Sequence, residues 1–355
     1  NSEITLGSYG IKSTGLAFGG PFKENENISY RLAFRKDKED GFRKNLYLKQ
    51  SDTSRKDEST SRLKINWEPS EKTTIKLLVS RVDLNDPADI WTLDGSLNTL
   101  SDRPGMDSQK TSSYGLKIFQ DFEGFEIQSL TSSTDTDVIF SYDADWGNED
   151  SWSPFIYDYF SETLRDRRTF GQEFRLVSDE ADLNRNNKIE WIFGVSYLEI
   201  KESNLKKDDG NYGDPSDPYG PYASSSSSLS KYKSENFSVF GNIDYLLSET
   251  IKLSLGMRWE DWESEYSDTL GDEFNPSNNM SGGKISLIKK IENDTNIFAS
   301  IAKGYKQGGF NLGLGLAPDS LNKNLLYDPE YLTNYELGIN SRACLLYTSD
   351  AADEN

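Results

Sequence analysis

The chain has 355 residues, of which 35% are hydrophobic and 12% aromatic, and it carries a net charge of −20. That charge argues against a nucleic acid as a partner, because a polyanion is attracted by a surplus of lysine and arginine. One cysteine, Cys344, and no histidine exclude zinc clusters, disulfides, histidine-based triads and histidine-ligated haem. We therefore expect neither an enzyme nor a metal centre nor a cofactor.

Hydrophobic residues recur at every second position along much of the chain, which places them on one face of a β-strand. No run of 18 apolar residues occurs, so a membrane-spanning helix is excluded. In chain order the clearest apolar rows are residues 28–34, 63–67, 75–79, 189–197 and 251–259. The intervening positions are mostly polar or charged, so each row predicts a strand with one apolar and one wet face.

The last two rows are long enough to cross a membrane as tilted strands. Each has five alternate apolar positions, which fits the roughly 9 to 11 residues of a spanning strand. Several rows also end in an aromatic residue, namely Trp67, Tyr197, Tyr245 or Trp259, and such rings settle at the membrane interface. These features predict an all-β fold, an antiparallel transmembrane β-barrel.

The connections alternate in length, as they do when consecutive strands of an up-and-down barrel turn at opposite rims. Short turns are expected at residues 68–72, 121–124, 247–250 and 290–295. Long loops are expected at residues 37–60, 83–111, 137–168, 202–232, 263–282 and 305–330. All the long loops would then lie at one rim of a partial barrel of about thirteen strands, as in outer-membrane barrels.

Eight short motifs stand out along the predicted strands. They are WEPS at residues 67–70, GQEFRL at 171–176, WIFGVSY at 191–197, VFGNIDY at 239–245, LGMRWE at 255–260, SIAKGYKQGGFN at 300–311, YDPE at 327–330 and NYELG at 334–338. Their order and spacing resemble the TonB-dependent outer-membrane receptors. The resemblance extends over residues 1–342.

The resemblance implies a barrel of about 22 strands in the bacterial outer membrane, of which residues 1–342 hold the N-terminal and middle part. In the family a plug domain fills the lumen and carries the segment that contacts TonB, and we expect the residues before Ile4 to encode neither. Residues 343–355, ACLLYTSDAADEN, continue neither the alternation nor the turns. They resemble a translated sequencing adapter, so we expect a non-native tail.

The family imports scarce ligands across the outer membrane with energy supplied through TonB. The expected partners are therefore TonB, acting through the plug, a small ligand and outer-membrane lipid. Iron complexes are the commonest cargo of the family, so the expected ligand is a ferric siderophore or a similar iron complex. Cobalamin and glycans are the alternatives. A passive porin and a soluble β-rich carbohydrate-binding protein or hydrolase are the alternatives from other classes.

Glu336 is the one residue to which the resemblance assigns a role. It stands in NYELG, where the family's glutamate points into the lumen and pairs with arginines of the plug. A buried carboxylate of this kind is stable only beside its cationic partner. The alternative is an ordinary acid that faces the lumen.

The long loops carry aromatic residues that the alternating rows do not include. The densest cluster contains Tyr142, Trp146, Trp152, Tyr157 and Tyr159. Aromatic faces suit sugars, aromatic siderophores and corrin or porphyrin rings. We predict that these five residues contact the ligand, and packing of loop against loop over the barrel mouth is the alternative.

Three further kinds of segment resemble binding sites without meeting their requirements. Residues 304–311 lack the spacing of a phosphate-binding loop, and their glycines are expected at a strand-end turn. Residues 182–188 begin like a calcium loop but depart from it at the glycine and glutamate positions, so a turn is expected. The acid-rich segments 143–150 and 208–217 are expected to be solvated and to bind divalent cations at most loosely.

Overall fold

The computed structural model describes residues 1–22, 25–180, 188–291, 295–310 and 326–341. Within these ranges nearly all regular structure is β-strand, and one short helix, α1 (Glu149–Trp152), lies in a loop. None of the described residues forms a helix that is both long and apolar enough to pass through a membrane.

The strands follow one another with few interruptions. In chain order they are β1 (Ser2–Leu6), β2 (Lys12–Phe22), β3 (Asn25–Glu39), β4 (Lys44–Asn45), β5 (Lys56–Ser70), β6 (Thr73–Ala88), β7 (Asn98–Thr99), β8 (Gly105–Phe122), β9 (Phe125–Asp143), β10 (Ile156–Ser178), β11 (Ile189–Gly213), β12 (Tyr222–Ser248), β13 (Ile251–Asp268), β14 (Glu273–Phe274), β15 (Ser277–Ile291), β16 (Thr295–Lys306), β17 (Gly309–Phe310), β18 (Leu326–Tyr327) and β19 (Glu330–Asn340).

The main sheet is one antiparallel path of fourteen strands in the order β1, β2, β3, β5, β6, β8, β9, β10, β11, β12, β13, β15, β16 and β19, with β14 paired to β13. Apart from the short strands, neighbours in the sheet also follow each other along the chain, so each strand pairs with the strand next to it in sequence. Within the described residues β1 and β19 have one neighbour each, and the sheet is open. The predicted all-β antiparallel fold of a partial barrel is confirmed, with close to the predicted number of strands.

The apolar rows lie on one face of the sheet and are exposed. Met257 on β13 is 66% exposed, and Leu255 on the same face pairs with the exposed Ile285 of β15. Among the described residues the buried hydrophobic side chains are Ala88, Trp262, Tyr266 and Met280. Exposed apolar surface of this extent needs a cover, and lipid covers it on the outer side of a barrel wall.

Aromatic residues mark the lipid-facing rows at two levels. Tyr245 pairs with Leu253 close to the short turn between β12 and β13, whereas Val239 pairs with Trp259 farther along β13. The step from Leu253 to Trp259 corresponds to about 20 Å along the strand. That distance is close to the apolar band of an outer-membrane barrel, which is about 25 Å tall, and it agrees with the predicted aromatic girdle.

The predicted long loop at residues 202–232 is mostly strand, and that part of the prediction was wrong. β11 and β12 remain paired as far as Tyr212 and Tyr222, so only residues 214–221 connect them. Outside lipid, backbone hydrogen bonds hold two strands together without an apolar row. The alternation therefore ends in the sequence long before the strands end in the structure.

The predicted loop at residues 137–168 is shortened for the same reason. β9 and β10 are paired up to Asp143 and Phe160, and residues 144–155 form the connection. The strands of this part of the sheet consequently rise well above the apolar band. The ligand-contact residues predicted in this segment are thus divided between two strand ends and one loop.

The short turns lie at the rim opposite to the long loops, as predicted. Residues 71–72 join β5 to β6, and residues 123–124 join β8 to β9. Gly124 has a φ of +88°, a left-handed conformation that glycine adopts without strain. Residues 182–187 of the predicted calcium-like turn, and the middle of the predicted turn at 290–295, lie outside the described residues.

Replacing Leu255 by arginine in the full-length protein is expected to destabilise the membrane-inserted fold by about 2–4 kcal/mol, because a charge would face lipid near the middle of the apolar band. Urea titration in synthetic liposomes measures this change. Ser254→Arg, on the opposite face of the same strand, is the control and is expected to have a much smaller effect. Equal losses in the two variants would contradict the lipid-facing assignment.

Candidate functional site

Three loops of the long-loop rim lie against one another. They are loop A (residues 40–55), loop B (residues 89–104) and loop C (residues 144–155). Asp89 is buried where loops A and B meet, and its carboxylate accepts hydrogen bonds from Asn45 Nδ2 at 2.9 Å, Thr99 Oγ1 at 2.8 Å and Thr53 Oγ1. Donors from both loops thus hold one buried charge, which fixes the two loops relative to each other.

Loop C is joined to loop B through backbone groups. Asn148 Nδ2 donates to the carbonyl of Leu100 at 2.7 Å, and the amide of Asp102 donates to the carbonyl of Gly147 at 3.0 Å. Asn148 also caps helix α1, because its side chain accepts from the amides at the start of that helix. The three loops therefore form one connected layer at the rim.

Asp145 organises loop C from within. Its buried carboxylate accepts from Gly147 N at 2.9 Å, from Trp152 Nε1 at 3.1 Å and from Tyr159 N at 2.7 Å. Because these donors come from both ends of the loop and from β10, one side chain sets the path of the whole segment. The indole of Trp152 is held in place by this bond.

The structure brings together three of the five predicted ligand-contact residues. The rings of Trp152 and Tyr157 have centroids 5.0 Å apart, and those of Tyr157 and Tyr159 are 4.8 Å apart. Tyr142 instead packs against Trp91 at 5.1 Å. Trp146 is exposed, in a left-handed conformation with a φ of +62°, and among the described residues it joins neither ring group. Ligand contact by these residues stays a prediction.

Acidic residues lie close together beside the ring groups. Burial raises the pKa of Asp143, at the end of β9 and far above the apolar band, to about 7. The charges of Asp145 and Asp102 raise this pKa further, whereas the nearby Ser101 hydroxyl lowers it. Burial also raises the pKa of Asp102, with the charges of Asp158 and Asp145 adding to the effect. Several carboxyl groups are therefore concentrated at this point of the rim, and Asp143 and Asp102 are harder to ionise than isolated aspartates.

A second site, which we call the inner-wall cavity, lies on the face of the sheet opposite the apolar rows. It has a volume of about 650 Å³ and lies between β11, β12, β13 and the segment that follows β16. Its lining includes six aromatic side chains: Tyr232, Trp262, Tyr266, Tyr305, Phe310 and Tyr327. Ligand pockets commonly have this size and this aromatic character.

Glu260 is the polar centre of the inner-wall cavity. It is 6% exposed, and its two oxygens accept hydrogen bonds from four side chains: Asn236 at 2.6 Å, Arg258 at 2.9 Å, Tyr305 at 3.1 Å and Gln307 at 3.1 Å. The donors belong to β12, β13, β16 and the segment after β16. A charged acceptor with four donors is well satisfied despite its burial, so Glu260 ties that segment to the wall.

Phe310 closes the apolar side of the cavity. Its ring stacks on Phe274 at 5.4 Å and contacts Tyr266 at 5.1 Å and Tyr232 at 5.9 Å. Each such pair contributes beyond its buried area. The short strand β17, which contains Phe310, is thereby held over the cavity.

The glycines of the motif at residues 300–311 have a different role from the one predicted. A Cβ at Gly308 would lie 2.6 Å from the carbonyl oxygen of Tyr327, and one at Gly309 would lie 2.6 Å from the Tyr327 hydroxyl. Neither glycine has the positive φ that a strand-end turn would have required. Close approach of β17 to β18, and not backbone freedom, therefore explains their presence.

Tyr266 supplies a neutral ring to the cavity. It lies on β13 beyond the apolar row, and burial together with a hydrogen bond to Asp268 raises its pKa to about 12. The phenol is therefore protonated at neutral pH. Its ring can stack on a ligand, whereas its hydroxyl proton is donated to Asp268, and it is not set up as a phenolate ligand for a metal.

The sequence contained a signal for this cavity, namely aromatic residues on the wet face of β13, which the pattern of alternating apolar residues does not take into account. On β13 the wet face continues past Glu260 into Trp262 and Tyr266, two large aromatic residues where polar residues are expected. Trp262 Nε1 donates to Ser234 Oγ at 2.8 Å, so its ring is fixed on the inner wall. Aromatic residues on the wet face of a strand indicate that something packs against that face.

Glu336 occupies the inner face of β19. It pairs with Ser300 of β16, whereas its neighbours Tyr335 and Leu337 are exposed on the lipid side. Within the described ranges its carboxylate forms no ion pair. The predicted orientation toward the lumen therefore holds, and its pairing with a plug stays a prediction.

The sequence model of the family described as "TonB dependent receptor-like, beta-barrel" matches residues 18–352. The match covers most of the chain, so the chain belongs to the TonB-dependent receptors and forms part of their β-barrel. Such barrels lie in the bacterial outer membrane. The rim formed by loops A, B and C is accordingly the extracellular one.

Solved structures of receptors share the fold at low sequence identity. The ferric yersiniabactin uptake receptor FyuA from Yersinia pestis has a TM-score of 0.72 and 15% identity, over 95% of this chain and 51% of that one. The siderophore receptor PiuA from Acinetobacter baumannii has a TM-score of 0.65 and 15% identity, over 95% and 53%. The copper transporter OprC has a TM-score of 0.63 and 16% identity, over 96% of this chain and 50% of that one. The chain thus spans about half the length of these proteins.

Glu260→Gln in the full-length receptor is expected to lower the free energy of unfolding by about 2 kcal/mol, because the charge-assisted bonds from Arg258 and the three neutral donors are weakened. Urea denaturation measures the loss. Limited proteolysis should also cut more readily after Lys306. Glu263→Gln, an exposed position three residues along the same strand, is the control. A loss no greater than that of the control would remove Glu260 from its proposed structural role.

Proposed function

We propose that the receptor to which this chain belongs imports a ferric siderophore or a similar iron complex, with energy delivered by TonB through the plug. FyuA and PiuA, which share the fold, are named for ferric yersiniabactin uptake and as a siderophore receptor. OprC, with a similar degree of likeness, is named as a copper transporter. Likeness of fold therefore does not select the cargo, and the proposal depends on the chain's own surfaces.

The inner-wall cavity is the observation that carries this proposal. Its aromatic lining offers faces for the planar rings of an iron chelator, and Tyr305 and Gln307 are polar groups on the same wall. Its volume of about 650 Å³ lies within the range of small-ligand pockets. A passive pore would not need such a cavity on its wall.

Positive charge deeper in the lumen supports an anionic cargo. Arg31 pairs directly with Lys64, and Lys76 with Lys117, on the inner face of β3, β5, β6 and β8. Like charges directly opposite each other destabilise a sheet, so an anion between them would be favourable. The acidic rim repels anions, and these cations counteract it farther down the pathway.

The proposal is tested by uptake of radioactively labelled ligands into cells that lack their own siderophore receptors and express the full-length receptor. A panel of ferric siderophores, ferric citrate, a copper complex and cobalamin is offered to each strain. We expect uptake of at least one ferric complex that disappears when TonB is deleted. Uptake that persists without TonB would indicate a passive pore, and energised uptake of copper or cobalamin alone would replace the proposed cargo.

Binding of the ferric complex to variants of the full-length receptor distinguishes the two candidate contact surfaces, which are the inner-wall cavity and the loop C aromatics. Phe310→Ala is expected to weaken binding of the ferric complex by on the order of tenfold, because its ring closes the inner-wall cavity. Phe174→Ala, which removes a ring from the lipid side, is the matched control. Unchanged affinity in a Trp146→Ala, Trp152→Ala double variant would remove the loop C aromatics from the site.

The role of Glu336 is part of this proposal. A plug arginine facing its carboxylate would hold the plug in the lumen, and TonB would break that pair under force. Glu336→Gln in the full-length receptor is expected to lower the urea concentration at which the plug unfolds while that of the barrel is unchanged. Glu330→Gln, an exposed position on the same strand, is the control. Identical plug unfolding in the Glu336→Gln variant and the wild type would leave Glu336 an ordinary acid of the lumen.

A further inference from the structure

Three oxygen atoms where loop B meets the end of β9 are buried and have no hydrogen-bond partner among the residues that the structure describes. They are Asp143 Oδ2, Asp102 Oδ1 and Ser101 Oγ. Asp143 is 4% exposed and Ser101 is 2% exposed. The Ser101 hydroxyl lies close enough to Asp143 to affect its pKa, although the geometry of a hydrogen bond is not met.

The surrounding backbone fixes these atoms in place. Asn45 Nδ2 donates to the carbonyl of Ser101 at 2.7 Å, and the amide of Asp102 donates to Gly147 O at 3.0 Å. Asp143 is the last residue of β9 and is paired with Phe160 of β10. The unpartnered atoms are therefore presented by a strand end and by a loop that is anchored on both sides.

The neighbouring charges neutralise this group only in part. Asp145 has its oxygens occupied by three N–H donors, and Arg103 is paired with Asp158 at 3.4 Å. The charge of Arg103 lowers the pKa of Asp102, but burial and the charges of Asp158 and Asp145 outweigh it, and the charge of Asp102 in turn raises the pKa of Asp143. A buried carboxylate oxygen without a hydrogen-bond donor is unfavourable, and either a proton or a bound cation relieves that cost.

We propose that Asp143 Oδ2, Asp102 Oδ1 and Ser101 Oγ bind one divalent cation of the calcium type. Two carboxylates and a hydroxyl are hard oxygen ligands, which calcium prefers, and backbone carbonyls and water complete its usual six to eight ligands (about 2.3–2.6 Å each). The cation would join loop B to the end of β9, two residues before Asp145, which holds the Trp152 indole. The acid-rich segment 143–150, expected from sequence to bind cations loosely, thus contributes to a defined site.

The raised pKa of Asp143 agrees with this assignment. Burial is its main cause, and the same carboxyl group would be held in its ionised form by a bound cation. Loop B supplies its two ligands from a distant part of the chain, 41 and 42 positions before Asp143. Local spacing in the sequence, such as that of a calcium loop, could not have indicated the site.

A second acidic group provides a natural control. Asp135, Asp137 and Asp166 have carboxylate oxygens within 4.8 Å of one another, but two of the three residues are exposed. Arg168 lies 3.3 Å from Asp135 and 3.7 Å from Asp166, so a cation is already in contact with this group. We assign no site to it.

The experiment uses the full-length receptor refolded in synthetic detergent, which removes outer-membrane lipids that bind calcium themselves. After chelation, Tb³⁺ is added and its emission is excited through tryptophan, and Ca²⁺ is then titrated to displace it. We expect one displaceable Tb³⁺ per chain. Asp143→Asn is expected to raise the dissociation constant for Ca²⁺ by on the order of tenfold or more, whereas Asp137→Asn leaves it unchanged.

A second measurement protects the test against misfolding of a variant. Calcium is expected to slow proteolysis of loops B and C in the wild type and in Asp137→Asn, but not in Asp143→Asn. Ser101→Ala retains both charges and is expected to weaken Ca²⁺ binding by a smaller factor than Asp143→Asn. The proposal is overturned by the absence of stoichiometric binding at millimolar Ca²⁺, or by equal affinity in folded Asp143→Asn and wild-type receptor.

Discussion

The structure depends on one constraint, which is that no backbone N–H or C=O group of a spanning segment can face lipid unpaired. Antiparallel pairing of sequence neighbours meets it, and the fourteen-strand path is the result. Because each strand then has one face toward lipid and one toward the lumen, apolar residues can occupy only alternate positions. The low hydrophobic content and the near absence of buried apolar side chains among the described residues follow from that arrangement.

The same constraint explains how much could be predicted. Rows such as residues 251–259 identify strands because lipid imposes the alternation, and the order of short turns and long loops follows from antiparallel pairing. Above the membrane nothing imposes an apolar row, so the upper halves of β11 and β12, including the serine-rich start of β12, were predicted as loop. Strand pairing there is a property of two segments together and leaves little trace in either one.

The candidate sites were predictable only in part, for a similar physical reason. The loop C aromatics could be identified as a cluster by composition, but their division into two ring groups depends on where β9 ends and β10 begins. Glu260 reads as an ordinary polar residue of a strand, and its four donors come from positions as distant as Asn236 and Gln307. The family motif at residues 300–311 located one side of the cavity without indicating what it packs against.

The height of the wall has a mechanical consequence. β12 has 27 residues, or about 90 Å of strand, and at a tilt of about 40° it stands far taller than the hydrocarbon it crosses. A ladder of paired strands resists bending in a way that free loops of equal length cannot. The extracellular rim is therefore held at a fixed distance from the bilayer, and a solute meets it before reaching the charged headgroups.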